Sequence, residues 1–454
     1  MRDDRKEGRR GAAVTMQSTQ ASEVRSRWSW AEPSVWSDRM LATLEIGVKG
    51  GRWFSLIDKV FSERNLRAAW RRVAGNKGAP GVDSVTVSDY ERNLEHNLAH
   101  LREELRTDRY TPLPNRRKWI AKAGSRDRRP LGIPTVRDRH AQCALKQVLE
   151  PIFERDFAEH SYGFRPGRGC KDALRVVQSA LAEGWTHVID ADLKSYFDTI
   201  PHSRLVKRVA EKVSDGRVLA LIDTFLKQGV MEGLSLWQPE TGTPQGAVIS
   251  PLLSNIYLDP LDHLMASHGW RMVRYADDFV ILCRTAADAE EALATLRAWV
   301  TDNCLQLHPD KTTTVDMGET GGGFDFLGYH FQRGRDGRLL RWASDKSVKK
   351  FRDRVREHTP RKSGRSMASI ISGLNASLRG WFQYFKHTNV SLFDRLDGWV
   401  RMRLRSILRR WHKRKGRGRG WDHFRWPNAF FHRLGLFSLV AAHAEERQSL
   451  RGTR

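Results

Sequence analysis

Apolar residues recur at helical spacing along several stretches of the chain. Between Trp53 and Gly75 they stand near 3.6-residue intervals, which predicts a helix, and Thr285 with Asp288 makes a capping signal for another that runs to about Val300. The same kind of pattern predicts helices over 86–108, 138–157, 169–183, 345–357, 366–386 and 391–411. The last quarter of the chain is therefore predicted to be mainly helical.

Alternation of apolar and polar residues predicts strands in the body of the chain. THVIDADL (186–193) is expected to form one strand, and RMVRYADDFVILC (271–283) a pair whose apolar runs flank a polar centre. A basic hairpin is predicted from Trp119 to Pro134 with its turn at Gly124 and Ser125, and another hairpin turns at Asp336-Gly337. The predicted fold class is α+β.

Positive charge is concentrated at one end of the sequence. The chain carries 78 Lys and Arg against 53 Asp and Glu, a net charge of +25. Residues 341–454 hold 28 basic and 8 acidic residues, whereas residues 1–340 hold 50 and 45. A charge run is often only a solvated face, but aromatic residues interleave with this one, which favours phosphate contact with base stacking. Nucleic acid is the expected partner.

Several classes of protein are excluded by composition. The four cysteines have no short spacing, which argues against a disulfide scaffold and a cysteine-based zinc finger and fits a reducing compartment. No long uncharged apolar window predicts a membrane span, and the first residues lack the apolar core of a secretory signal. We expect a cytoplasmic protein associated with ribonucleoprotein or nucleoid, without a membrane partner.

Four aspartates stand in apolar surroundings. Strand geometry puts Asp190 and Asp192 on one face, and Asp277 with Asp278 lie between two apolar runs. Carboxylates about 4 Å apart repel by roughly 4 kcal/mol at an effective dielectric of 20, so a divalent cation is a natural compensation, and oxygen ligands favour Mg²⁺. The alternative is that Asp277-Asp278 forms an ordinary solvated turn.

Taken together, the motifs resemble those of group II intron reverse transcriptase/maturase proteins. They occur in the family's order over about residues 45–440: GAPGVD (78–83), RPLGIPTVRDR (129–139), SYGFRPGRGC (161–170), DADLKSYFDTI (190–200), GTPQGAVISPLLSNIYL (242–258), YADD (275–278), LHPDKT (307–312) and FLGYHF (326–331). The resemblance implies a right-hand polymerase. Fingers and palm with antiparallel sheet and helices would occupy 41–340 after a poorly ordered extension at 1–40. An α-helical thumb/maturase domain at 341–410 and a basic nucleic-acid-binding region at 411–454 would follow.

The resemblance also implies roles for individual residues. Asp192, Asp277 and Asp278 match the catalytic aspartates that hold two Mg²⁺ ions, and Phe197 matches the steric gate against a 2′-OH, with a core aromatic as the alternative. Residues expected at the incoming nucleotide are Lys122, Arg129, Gln245 and Lys311, although Lys122 reads almost equally well as a surface lysine. Residues expected to bind RNA are Arg409, Arg410, Lys413, Arg414 and Lys415.

The implied function is RNA-directed DNA synthesis coupled to intron splicing and mobility. Expected partners are the intron RNA as template and splicing partner, a DNA target or primer, and dNTPs; the oligomeric state is left open. Because no cysteine follows Cys304, an HNH endonuclease with paired cysteines is not expected. Two alternatives stay open: a non-catalytic RNA-binding splicing factor, and a domesticated or defence-type reverse transcriptase without an intron.

Overall fold

The computed structural model describes residues 23–48, 50–121, 128–233, 235–362, 364–414, 416, 418 and 420–452. Within these ranges, residues up to Thr314 form one compact unit and residues from Val315 onward form a second. The predicted turn at Gly124-Ser125 and the predicted site residues Lys122 and Lys415 lie outside the described residues. None of the described helices is long and apolar enough to cross a bilayer.

The first unit is built mainly from helices that pack around two sheets. After a short helical stretch at residues 23–27, its helices are α1 (Asp38–Ile46), α2 (Ile57–Val60), α3 (Glu63–Gly75), α4 (Val87–Arg92), α5 (Leu94–Arg106), α6 (Val136–Glu154), α7 (Cys170–Ala182), α8 (Tyr196–Thr199), α9 (His202–Ala210), α10 (Gly216–Leu226), α11 (Ser250–Ser267) and α12 (Ala286–Asp302). Helix α6 is buried on nearly all sides, so it forms the centre of this core.

The strands of the first unit, with one that extends from it, form two four-stranded sheets. Sheet A has the order β2 (Arg128–Ile133), β1 (Asn115–Ala121), β4 (Val230–Glu232), β5 (Ser235–Trp237), with β1 and β4 parallel and the other pairs antiparallel. Sheet B has the order β6 (Arg271–Tyr275), β7 (Asp278–Cys283), β3 (His187–Asp192), β8 (Thr313–Asp316). The predicted mixed α+β class is confirmed.

The second unit combines a small antiparallel sheet with helices. Sheet C has the order β11 (Leu339–Ala343), β10 (Tyr329–Arg333), β9 (Gly323–Phe326). The helices are α13 (Asp345–His358), α14 (Met367–Phe385), α15 (Val390–Trp411), α16 (Trp421–Arg425), α17 (Asn428–Arg433) and α18 (Leu439–Gly452). The Tyr329 hydroxyl donates to the carbonyl of Tyr384 at 2.7 Å, which fastens sheet C to α14. The compact units therefore divide at Thr314, whereas the boundaries at 340 and 410 stay predictions.

Two local outcomes differ from the sequence predictions. The expected helix through residues 53–75 is interrupted, because the Ser62 hydroxyl accepts a hydrogen bond from the Asn65 amide at 3.3 Å and starts α3 afresh. Residues 23–40 are ordered, in contrast to the expected extension: the Trp36 side chain is fully buried and its indole N–H donates to the Gln147 carbonyl at 3.1 Å. The capping box at Thr285 and Asp288 is confirmed.

Candidate active site

Two strands at the centre of sheet B bring two of the predicted aspartates side by side. Strand β3 pairs with β7 in an antiparallel register that sets Asp192 opposite Asp278. The apolar residues Phe279 to Cys283 are buried, and so are Val188 and Ile189 on β3. Because successive residues of β7 are buried, both faces of the strand are covered, and a shift of one residue would move each side chain onto the face packed for its neighbour. Packing on both faces therefore fixes the register and with it the positions of the two carboxylates.

Asp277 lies at the tip of a tight turn beside this pair. Tyr275 pairs with Asp278, so Ala276 and Asp277 alone connect β6 to β7. Ala276 has φ +62°, the left-handed conformation that a two-residue hairpin turn requires. The turn gathers Asp277 and Asp278 at the end of β3 where Asp192 is found, as the sequence predicted for the strand pair.

A buried arginine supports the turn from behind. The Arg274 guanidinium donates to the Ala276 carbonyl at 3.0 Å, to Oδ1 of Asn255 at 2.9 Å and to Oδ1 of Asp262 at 2.9 Å. Gly163 packs so closely on the turn that a Cβ there would overlap the backbone nitrogen of Ala276. The conformation of the turn is therefore held by partners from two other segments of the chain.

The electrostatics of Asp277 reflect its crowded position. Burial raises the pKa of this carboxyl group, and the neighbouring Asp192 carboxylate raises it further. Its own backbone N–H and the guanidinium groups of Arg129 and Arg274 act in the opposite direction. The charged form of Asp277 is therefore destabilised by its surroundings, and a cation beside it would stabilise that form.

Lys311 already supplies one positive charge to this site. Its ammonium group forms an ion pair with the Asp192 carboxylate. The segment that carries it is tied to β3 by backbone hydrogen bonds, from the His308 amide to the Asp192 carbonyl at 2.7 Å and from the Lys194 amide to the Gln306 carbonyl at 2.8 Å. The ion pair places Lys311 beside Asp192, and its expected position at the incoming nucleotide stays a prediction.

Phe197 and Gln245 line a cleft of about 370 Å³, together with Asp198 and Gly242. Phe197 is half-buried, and its carbonyl accepts a 2.6 Å hydrogen bond from the Thr243 amide. Gly242 has φ +91°, and a Cβ there would lie 2.7 Å from the same carbonyl, so the Gly-Thr-Pro-Gln-Gly segment can approach only with glycine at this position. The Gln245 side-chain amide donates to Asp198 at 3.3 Å.

Arg129 lies on β2, opposite Ile120 of β1, and is exposed. Its guanidinium group is near enough to lower the pKa of both Asp198 and Asp277, although burial of each carboxyl acts more strongly in the other direction. Sheet A therefore presents a cation toward the aspartates, in the position that the sequence assigned to a triphosphate contact.

The predicted RNA-binding residues of the second unit fall into two groups. Arg410, Lys413 and Arg414 line one pocket together with Arg361. Arg409 instead forms an ion pair with Asp422, which is almost fully buried. The side chain of Arg409 is committed to packing within its own unit, so the geometry favours a structural role for it over the predicted RNA contact.

Three residues of these sites were not found from the sequence: Arg274, Asp198 and Arg361. Arg274 lies within a predicted strand, and its buried partner Asp262 lies on a separate helix, so nothing local marks it. Asp198 directly follows Phe197 within its motif, and no pattern in the sequence gives it a role. Arg361 is distant in sequence from the basic run that it joins in space, and no local signal could have linked them.

The donor atoms at the aspartates suit a hard divalent cation. No group of three His, Cys, Asp or Glu side chains close enough to hold an ion occurs in the part of the chain that the structure describes. Asp192 and Asp277 nevertheless bring carboxylate oxygens together closely enough for one to raise the pKa of the other. Mg²⁺ commonly binds through one or two carboxylates, with water and substrate phosphates as the remaining ligands. The residues present therefore fit such an ion.

Comparison with known protein families identifies two matching domains. Residues 120–331 match the family described as reverse transcriptase (RNA-dependent DNA polymerase). Residues 348–426 match the family described as group II intron, maturase-specific domain. A reverse transcriptase domain implies dependence on a divalent metal in general, and a maturase domain implies binding of intron RNA.

Two curated proteins and one solved structure are similar to parts of this chain. Protein YkfC of Escherichia coli is 36% identical over 311 residues, covering 60% of this chain and 81% of the relative. The group II intron-encoded protein LtrA of Lactococcus lactis is 38% identical over 196 residues, which cover 43% of this chain and 32% of LtrA. A chain of a solved structure titled "Partial Cas6-RT-Cas1--Cas2 complex" aligns with 54% of this chain and 42% of its own length, at 24% identity and a TM-score of 0.36.

Proposed function

Since the chain belongs to the family of group II intron-encoded reverse transcriptases and maturases, we propose that it copies RNA into DNA with two Mg²⁺ ions held at Asp192 and Asp277. Asp278 assists at the same site. The chain is an RNA-directed DNA polymerase by its reverse transcriptase domain. Its dNTP and primer substrates, the number and identity of the ions and the role of each residue are parts of the proposal.

The observation that carries this function is the register of β3 and β7. It sets Asp192 opposite Asp278 while the β6–β7 turn holds Asp277 beside them. Carboxylates that repel each other at the end of a buried sheet are costly unless they bind cations. Arg129 lies near enough to lower the pKa of both Asp277 and Asp198, a residue of the cleft of Phe197 and Gln245, which supports a metal-dependent reaction on a nucleotide bound there.

In the proposed reaction, the primer 3′-OH loses its proton to water and its oxygen attacks the α-phosphate of a dNTP, so that a bond from O3′ to phosphorus forms and the bond to pyrophosphate breaks. Bound Mg²⁺ supplies positive charge that stabilises the phosphoryl group during this displacement. The Arg129 guanidinium binds the triphosphate as a planar fork. The Lys311 ammonium, positioned by its ion pair with Asp192, delivers a proton to the departing pyrophosphate.

Phe197 and Gln245 select and position the nucleotide in this proposal. The half-buried ring of Phe197 lies under the sugar and excludes a 2′-OH by contact. The Gln245 amide, which is oriented by its hydrogen bond to Asp198, contacts the incoming nucleotide. The Thr243 amide donates to the Phe197 carbonyl, so the segment that carries Gln245 and the residue Phe197 are held together as one wall of the cleft. Discrimination by shape requires such rigidity.

We further propose that the chain binds its intron RNA, assists its splicing and mobility, and works inside the cell in association with that RNA. The excess of positive charge beyond residue 340 supports this part. The intron RNA would be both splicing partner and template, and a DNA target strand would supply the primer.

Two assays on the purified chain test the proposal. The first measures primer extension on an RNA template with dNTPs and Mg²⁺, and the second measures splicing of an intron transcribed from the DNA that flanks the gene. Both activities are expected. RNA binding with no extension would identify a non-catalytic splicing factor, and extension without any effect on splicing would identify a reverse transcriptase without an intron partner.

A further inference from the structure

Helix α16 exposes two large aromatic side chains on one face. Trp421 and Phe424 are 77% and 76% exposed, and their ring centroids lie 5.7 Å apart. Residues three apart in a helix lie on the same face. Apolar rings of this size are normally buried on folding, since each removes well over 100 Å² from water. A pair left in solvent on one face therefore indicates a surface that binds something.

The other face of α16 is firmly anchored. Asp422 is 2% exposed and pairs with Arg409 of α15, while Trp426 is 6% exposed. The Arg405 guanidinium donates to the Trp426 carbonyl at 2.9 Å. The sequence suggests base stacking for all the aromatic residues of this region, but Trp426 and Phe431 are buried, Phe430 is half-buried and Trp411 is 40% exposed. Among the described aromatic residues beyond residue 400, Trp421 and Phe424 present the largest exposed fraction to solvent.

A basic pocket borders the helix that anchors α16. Arg361, Ser406, Arg410, Lys413, Arg414 and Gly416 line a pocket of about 450 Å³, and this lining contains no carboxylate. Arg410 directly follows Arg409, whose ion pair with Asp422 joins the end of α15 to α16. The pocket and the aromatic pair therefore lie on connected segments of the same unit.

Positive charge accumulates beside this pocket. Burial lowers the pKa of Arg403, and the nearby guanidinium groups of Arg361, which lines the pocket, and of Arg356, which pairs with Asp353, lower it further. A phosphate in the pocket would relieve this repulsion. Phosphate-binding cations next to exposed rings are the combination that binds unpaired nucleotides, whose bases are free to stack.

We propose that the Trp421–Phe424 pair and the Arg361–Arg410–Lys413–Arg414 pocket together bind an unpaired segment of RNA. The bases stack on the two rings and the backbone phosphate occupies the pocket. This inference rests on the proposed binding of intron RNA and deepens it, because it assigns single-stranded nucleotides to a defined surface. A duplex cannot use the rings, since its bases are already stacked.

The test measures binding of the full chain to labelled oligouridine RNA and to duplex RNA over a series of salt concentrations. Trp421→Ala combined with Phe424→Ala should weaken oligouridine binding by roughly ten- to a hundredfold, and it should leave the salt slope and the duplex affinity unchanged, because stacking releases no counterions. Trp421→Phe with Phe424→Tyr should retain most of the affinity. Phe54→Ala is the matched control, because Phe54 is also exposed, at 64%, but lies in the first unit.

The contribution of the basic pocket is measured by the salt dependence of binding. Arg361→Gln with Arg410→Gln should flatten the oligouridine salt slope by about one to one and a half units. Unchanged oligouridine affinity in the double alanine variant, or an equal loss for duplex, would overturn the inference. An oligomer of the native chain that dissociates in this variant would also overturn it, since a second copy would then cover the rings, and tighter binding of oligothymidine would assign the surface to DNA.

Failure here is distinguishable from failure of the proposed function. If the aromatic variants bind like the native chain while the charge variants weaken binding, only the stacking surface is wrong. If the native chain binds neither oligouridine nor its intron RNA, the proposed RNA partner is wrong as well.

Discussion

Arg274 donates a 3.0 Å hydrogen bond to the carbonyl of Ala276, the residue immediately before Asp277. The same guanidinium pairs with Asp262, and both side chains are buried. One buried ion pair therefore holds the turn that carries two of the three aspartates. We therefore expect both polymerase activity and the free energy of unfolding to depend on this contact, and the two can be measured separately.

Replacement of Arg274 should affect both properties. Arg274→Gln leaves Asp262 buried without its charged partner, which typically costs about 3–5 kcal/mol of unfolding free energy. Arg274→Lys keeps the charge but loses the planar fork, so it should be less destabilised and should still need a higher Mg²⁺ concentration for half-maximal primer extension. Denaturant unfolding and Mg²⁺ titration measure the two effects. An unchanged Mg²⁺ requirement in the lysine variant would contradict the positioning role.

The stability of the first unit should depend on the protonation of His140. Burial lowers the pKa of this histidine from 6.5 to about 4, and its ring nitrogens contact the Leu66 carbonyl at 2.7 Å and the Tyr90 hydroxyl at 3.2 Å. The unfolded chain takes up a proton near pH 6.5 but the folded chain does not. The contribution of neutral His140 to the free energy of unfolding is therefore complete above pH 6.5. This contribution, about 3 kcal/mol, is lost as the pH falls toward 4.

Urea unfolding between pH 7 and pH 4 measures this loss. His140→Gln should flatten the dependence in that window, whereas His263→Gln, which replaces an exposed histidine, should keep it. A native-like slope in His140→Gln would show that another group is responsible.

Phe197 should control the choice of sugar. Phe197→Ala or Phe197→Val removes the ring expected under the nucleotide sugar, so incorporation of ribonucleotides should rise relative to deoxyribonucleotides. The ratio of kcat/KM for rNTP and dNTP measures the effect. The ring is already half-exposed at the cleft, so a large loss of stability is not expected. An unchanged ratio would mean that Phe197 is merely a core aromatic.

Arg409 and Arg410 should separate folding from RNA binding. Arg409→Gln removes the partner of buried Asp422 and should cost about 2 kcal/mol of unfolding free energy. Arg410→Gln changes an exposed residue, so it should instead reduce the slope of log K against log salt by about 0.7–0.9 and leave the unfolding free energy nearly unchanged. Thermal melting and filter binding at several salt concentrations compare the two. A flattened slope with unchanged melting in Arg409→Gln would restore Arg409 to the RNA-binding set.

The hairpin that places Asp277 beside Asp278 could be predicted because it depends on a local pattern, in which a two-residue connection forces β6 and β7 to pair. The meeting of these residues with Asp192 on β3 was implied only by the resemblance to the family. The start of α12 was predictable from a local pattern, since Thr285 and Asp288 cap each other within one turn. The resemblance implied that Lys311 lies near the incoming nucleotide, whereas its ion pair with Asp192 was not predicted, because no local pattern fixes that contact.

Contacts between distant segments could not be predicted in this way. The burial of Arg274 depends on Asp262 and Asn255, which α11 brings behind the turn. The ion pair of Arg409 with Asp422 largely buries a side chain that the sequence predicted to bind RNA. Trp36 likewise looks like part of a polar extension until its indole meets the Gln147 carbonyl on α6. In each case a tertiary partner overrides the local composition.

The central claim is that these aspartates form the metal-dependent polymerase centre, and Asp277→Asn tests it most directly. The substitution keeps the shape of the side chain and removes its charge. RNA-templated primer extension by this variant should fall by more than about a hundredfold, with intron RNA binding within a few fold of native. Asp190→Asn on the same strand β3 is the matched control and should retain extension. Extension by Asp277→Asn at the native rate would contradict the assignment.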